Sequence, residues 1–114
     1  MRPDNAIRVR HMIEAAGTVQ GFVEGRSRGA FDSDLMLQFA LVRAIEIIGE
    51  AASRVSAETR SATPAVPWAA IVAMRNRLMH AYFSIDPAIV WKSATEEVPA
   101  LLLILRTVLP EDQD

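Results

Sequence analysis

The sequence predicts an all-α fold, an antiparallel up-and-down bundle of four to five helices. Three observations predict it. Apolar residues recur at helical spacing in four segments, glycine and proline punctuate the gaps between them, and no segment alternates with period two for long enough to make a strand. The 114 residues fit one domain over positions 1–114, and with 51% hydrophobic residues one core forms without covalent staples.

In the first segment Val9, Met12, Ile13, Ala16, Val19 and Val23 share a helix face, and Gly25-Arg26-Ser27-Arg28-Gly29 breaks the pattern. Asp32, Ser33 or Asp34 can cap the second helix. Its buried stripe is Leu37, Leu41, Ala44 or Ile45, Ile48, Ala51 and Val55. Arg43, Glu46, Glu50 and Arg54 form an opposite face spaced for ion pairs between turns. Gly49 inside this helix costs about 1 kcal/mol relative to alanine, which makes sense if another helix crosses closely there. Ser56 to Thr63 reads as a short polar helical turn. Pro64 and Pro67 stop it, and Pro67 suits the first position of a third long helix running from Trp68 to Tyr82 or Phe83. Asp86-Pro87 is a cap followed by proline at the first helical position. Ile89, Val90, Ala94, Val98, Leu101, Leu102, Leu105 and Val108 form the last buried stripe. Pro99 lacks a backbone donor, so a kink or break is expected near Glu96.

Composition excludes several classes of function. There is no cysteine, hence no disulfide, thiolate metal site or cysteine nucleophile. His11 and His80 are the only nitrogen ligands, so neither a metal nor another cofactor is expected. No apolar run reaches the ~20 residues of a membrane span. The polar start Met1-Arg2-Pro3-Asp4-Asn5 lacks the apolar stretch of a secretory signal, and a cytoplasmic location is expected. The net charge of −2 rules out a bulk attraction for nucleic acid, although the cations are arginines apart from Lys92. Arginine presents a planar fork suited to phosphate, but a coding bias explains the preference equally well.

The chemistry concentrates in Met74-Arg75-Asn76-Arg77-Leu78-Met79-His80-Ala81-Tyr82-Phe83. An arginine and a histidine at this spacing are weak evidence alone. They do not stand alone. In order along the chain come Ile47-Ile48-Gly49-Glu50-Ala51-Ala52, then Pro67-Trp68 with the motif stretch, then Asp86-Pro87-Ala88-Ile89-Val90-Trp91, then Val98-Pro99-Ala100-Leu101. Through these blocks the chain resembles the HepT-like branch of the HEPN superfamily from its second helix onward; the first helix matches only in being amphipathic. The R-x-x-x-x-H-x-Y motif is complete as Arg75, His80 and Tyr82, with Asn76 as the polar residue after the arginine. Ala73 stands where many relatives carry glycine. The resemblance implies a HEPN-like bundle and a homodimeric toxin ribonuclease. It also implies an antitoxin of the minimal nucleotidyltransferase type, able to transfer AMP to Tyr82.

The implied chemistry is physically sensible. RNA is cut without metal when its 2′-hydroxyl attacks the adjacent phosphorus, which needs a base, an acid and positive charge on the phosphate. Histidine serves as proton carrier, and arginine holds phosphate oxygens as charge builds. Asn76 is suited to position a phosphate oxygen or orient His80. On a straight helix Arg75 and His80 point about 140° apart, whereas Arg75 and Tyr82 share a face. Either the helix loosens near His80 or two copies of the motif meet in a twofold dimer, which would provide an acid and a base from two His80 side chains.

Plainer readings stand beside these. His80 suits a helix C-terminus, and Arg75 can pair with Glu46 or Glu50 across helices, Glu50 orienting it in the catalytic reading. Arg77 is a solvated residue or an accessory phosphate contact. Tyr82 can pack in the core or a dimer interface with its hydroxyl at the edge. Trp68 and Trp91 are core or interface anchors, His11 a bystander, and Lys92 and Arg43 optional parts of an RNA path. The alternative to an enzyme is a non-catalytic module that binds a nucleotidyltransferase; a plain dimerising scaffold would require the motif to be accidental.

Overall fold

The computed structural model describes residues 1–79 and 86–109. Four long helices dominate: α1 (Pro3–Val23), α3 (Leu35–Ser53), α5 (Trp68–Met79) and α7 (Val98–Val108). Short helices α2 (Arg28–Asp32), α4 (Ala57–Ala62) and α6 (Pro87–Lys92) lie between them. The ends fall where the capping chemistry placed them. Asp34 Oδ1 accepts from the Leu37 N–H at 3.0 Å, Ser56 Oγ from Thr59 at 3.2 Å, and Asp86 Oδ1 from Ala88 at 2.9 Å. Pro67 lies just before α5, and its carbonyl accepts from the Ile71 N–H.

The long helices run alternately up and down. Asn5, near the start of α1, bonds Ser56 and Thr59 beyond the end of α3. Arg60, also beyond α3, stacks on Trp68 at the start of α5, while Arg75 lies against Gly49 further back along α3. Arg77 near the end of α5 meets Glu97 at the start of the last helix. Each long helix is therefore antiparallel to its sequence neighbour. One continuous core fills the space, with Val9, Met12, Val19, Leu41, Ile45, Ile48, Val98 and Leu105 among its fully buried side chains.

Several expectations need correction. The glycine-flanked break after α1 holds Gly25 at φ 72, as expected of a chain reversal, but α2 follows at once. Ser27 caps it by accepting from Ala30, and Arg28 pairs with Asp32 at 2.7 Å. Phe31 of α2 is fully buried against Trp91, so this turn belongs to the core. Ile89, expected in the last buried stripe, is 40% exposed, and Val108 is only partly buried. The disturbance expected from Pro99 is a π-helical segment, Ser93–Glu97, that joins α6 to α7 without breaking the chain. A wider turn keeps the proline ring off the carbonyl four residues earlier. The third long helix is described as far as Met79; its expected continuation to Tyr82 or Phe83 lies outside the described residues.

Two of the buried polar side chains, not anticipated from the sequence, join one helix to another. Asn5 donates to Ser56 Oγ at 3.0 Å and Thr59 Oγ1 at 2.8 Å, and accepts from the Ser56 N–H at 3.1 Å. Gln38 donates to the carbonyls of Phe31 and Asp32, both at 3.1 Å. The first pins α1 to the α3–α4 turn and the second clamps α2 on α3. Trp68 is core, with its Nε1–H donated to Thr63 Oγ1 at 3.1 Å.

Candidate active site

Arg75 projects from the middle of α5 onto α3, and α3 makes room for it with a glycine. A Cβ at position 49 would collide with Arg75 Cβ and lie 2.6 Å from its Cδ and 2.8 Å from its Cγ. The helix expected to cross closely at Gly49 is therefore the one that carries the motif, and the contact is the motif arginine itself. Because the glycine meets the stem of the side chain, the close approach fixes where the guanidinium emerges.

Among the described residues no hydrogen bond or ion pair ties that guanidinium to the fold. Its Nε is buried without a hydrogen-bond partner among the described residues. An unpaired buried donor costs about 1–3 kcal/mol and calls for an explanation. The carboxylates thought able to pair with it are engaged elsewhere: Arg43 Nη1 lies 3.1 Å from Glu50 and 3.8 Å from Glu46. Glu50 follows Gly49 directly, but no hydrogen bond or ion pair joins it to Arg75 among the described residues.

Asn76 is exposed. Arg77 is exposed too and lies 3.5 Å from Glu97, which also accepts a 2.8 Å bond from the buried Ser93 hydroxyl. Beside it, Arg77, Glu97, Ile89 and Lys92 line an open depression of about 350 Å³. His80 and Tyr82 lie outside the described residues. Among the described residues no group of three or more acidic or histidine side chains is arranged to hold a metal ion.

What sequence reasoning missed here is the exposed face of α3 beyond its charges. Leu35, Met36 and Phe39 are 60%, 84% and 54% exposed. They occupy the end of α3 toward which α5 runs as it carries the chain to Met79. Their signal was available: on a 3.6-residue helix they fall on the side of Arg43, Glu46 and Glu50, away from the buried stripe.

A family-model match over most of this all-helical chain places it in the HEPN superfamily. Within it the chain belongs to the family described as Ribonuclease HepT-like, whose model matches residues 12–108. Among its relatives is "Putative RNase MJ1380" of Methanocaldococcus jannaschii, 38% identical over 90 residues covering 79% of this chain and 83% of the relative. "Probable ribonuclease HepT" of Thermococcus cleftensis is 36% identical over 90 residues, covering 79% and 82%. "Putative RNase TTE0752" of Caldanaerobacter subterraneus subsp. tengcongensis is 32% identical over 105 residues, covering 92% and 94%. No solved structure matches the chain at a significant level.

Proposed function

We propose that this chain, as one domain over 1–114, is a metal-independent endoribonuclease that acts as a homodimer. In this reading it is the toxin of a pair whose antitoxin is a minimal nucleotidyltransferase, and it works in the cytoplasm. Among the described residues no helix is long and apolar enough to cross a membrane. The observation that carries the reading is Arg75, seated on Gly49 with a buried and unpartnered Nε, in a chain of a ribonuclease family.

The reaction needs no group beyond the chain and its RNA. His80 of one protomer takes the proton of the 2′-hydroxyl, and the freed oxygen attacks the adjacent phosphorus. Arg75 holds the phosphate oxygens as negative charge grows, with Asn76 positioning one of them. The bond from phosphorus to the 5′-oxygen breaks, and His80 of the second protomer protonates the leaving oxygen. The products are a 2′,3′-cyclic phosphate and a 5′-hydroxyl.

The exposed Leu35, Met36 and Phe39 support the dimer. They lie together on one side of α3 at its N-terminal end, and a twofold axis passing beside them would set apolar against apolar. Tyr82 is the proposed acceptor of AMP from the antitoxin.

Purified protein freed of any partner is expected to cut RNA in EDTA and leave cyclic phosphate ends. His80→Ala should abolish cutting, and with it toxicity in a growth test, while helicity and oligomeric state persist. Cutting by His80→Ala at the wild-type rate would overturn the catalytic assignment. With the nucleotidyltransferase and ATP, mass spectrometry should find adenylate on Tyr82; modification elsewhere, or none, refutes that part of the reading.

A further inference from the structure

Across α3 from Arg75, a second cationic site is built between α1 and α3. Arg8 and His11, one turn apart on α1, face Ile47, Glu50 and Ala51 of α3 and Arg54 just past its end around an open depression of about 230 Å³. Three of these side chains carry nitrogen donors, and Arg8 and Arg54 have no ion pair or hydrogen bond from their guanidinium groups among the described residues. Glu50 is the one carboxylate on the rim, and Arg43 neutralises it from outside the depression at 3.1 Å. Ile47 and Ala51 are the apolar part of the lining. The placement is held by the bonds of Asn5, which fasten α1 beside the end of α3 one turn before Arg8.

We propose that Arg8, His11 and Arg54 form an accessory subsite for a backbone phosphate of single-stranded RNA, away from the phosphate that is cut. The inference rests on RNA being the substrate and deepens that reading. Two guanidiniums lining one hollow, neither paired among the described residues, are suited to the non-bridging oxygens of a phosphodiester, and the apolar lining suits the face of the adjoining ribose. Gly49 receives Arg75 on one side of α3 while Glu50 and Ala51 border the hollow on another. The two sites are thus separated by roughly the 10–12 Å thickness of a helix, a span that a few nucleotides of single strand cover. A subsite of this kind would hold the strand in register without reading its bases. It would also give a chain of net charge −2 a local foothold for a polyanion.

The test uses a non-cleavable 2′-O-methyl RNA oligonucleotide and fluorescence anisotropy over a series of salt concentrations. Wild type should bind, and Arg8→Gln/Arg54→Gln should bind at least about tenfold more weakly. The salt slope should be shallower by about 0.7 for each phosphate that the variant no longer neutralises. Thermal melting checks that the variant stays folded, and Arg8→Lys/Arg54→Lys, which keeps the charge, should recover part of the affinity. Unchanged affinity and slope in the glutamine variant would overturn the inference, as would wild type that ignores the oligonucleotide. His80→Ala should still bind the oligonucleotide. If cutting of natural RNA proves indifferent to His80 while the arginine variants still weaken binding, the catalytic reading fails and the subsite stands. If cutting needs His80 but binding ignores Arg8 and Arg54, the reverse holds.

Discussion

Gly49 and Arg75 act as a pair, and each explains what is odd about the other. A glycine in mid-helix is unfavourable by about 1 kcal/mol, yet a Cβ there would meet the first carbons of Arg75, which cannot swing away as a side-chain tip can. Gly49→Ala should therefore lower the melting temperature despite its better helix propensity. The expected net loss is on the order of 1 kcal/mol, because overpacking of about 1–3 kcal/mol outweighs the gain. RNA cutting should fall with it as the guanidinium is displaced. Arg75→Met makes the converse case. Methionine keeps an apolar stem over Gly49 and removes the unpaired Nε donor, so thermal stability should hold or rise while cutting drops by about 100-fold or more. A variant that loses stability and activity together would mean that Arg75 is structural. The choice between a cross-helix ion pair and an uncommitted guanidinium was open in the sequence, because spacing placed Glu46 and Glu50 within plausible reach. The coordinates decide it: Arg43, spaced on the same helix for such pairs, engages both.

Among the elements, hydrogen bonding decides how the short pieces join the long ones. Asn5→Ala leaves the Ser56 N–H without its acceptor and removes the two side-chain bonds to Ser56 and Thr59. It should destabilise the protein by about 1–3 kcal/mol in denaturant unfolding, with helix content intact. An unfolding midpoint like that of wild type would show that α1 is held by its apolar face alone. Helix starts were legible because caps are local: Asp34, Ser56 and Asp86 each bond a backbone N–H two or three residues ahead. The short α2 was not legible. Its single turn is too brief for an apolar period to register, and its stability comes from distant partners, Gln38 and Trp91. Pro99 announced a disturbance, but whether the helix would bend, stop or widen depended on how α7 packs. Burial of Ala94 and Val98 on either side of Glu97 keeps the two segments in line.

For the molecule as a whole, the apolar end of α3 is the expected seat of the dimer. Met36→Glu/Phe39→Glu puts like charges where two copies would meet, so analytical ultracentrifugation should find monomers and RNA cutting should be lost. Both substituted side chains are more than half exposed, and the fold should survive. A dimer that persists at full activity would move the interface elsewhere. By itself the sequence determined the long helices, the antiparallel bundle and the family. Period, capping and motif are properties of neighbouring residues, and they survive without knowledge of the third dimension. The tertiary structure alone decided that the glycine of α3 receives the arginine of α5, and that Arg8 of α1 and Arg54 at the end of α3 line one hollow. Each of these depends on which side chains the packed core brings together, and the winning partner is set by distances of a few ångströms that spacing along the chain does not fix.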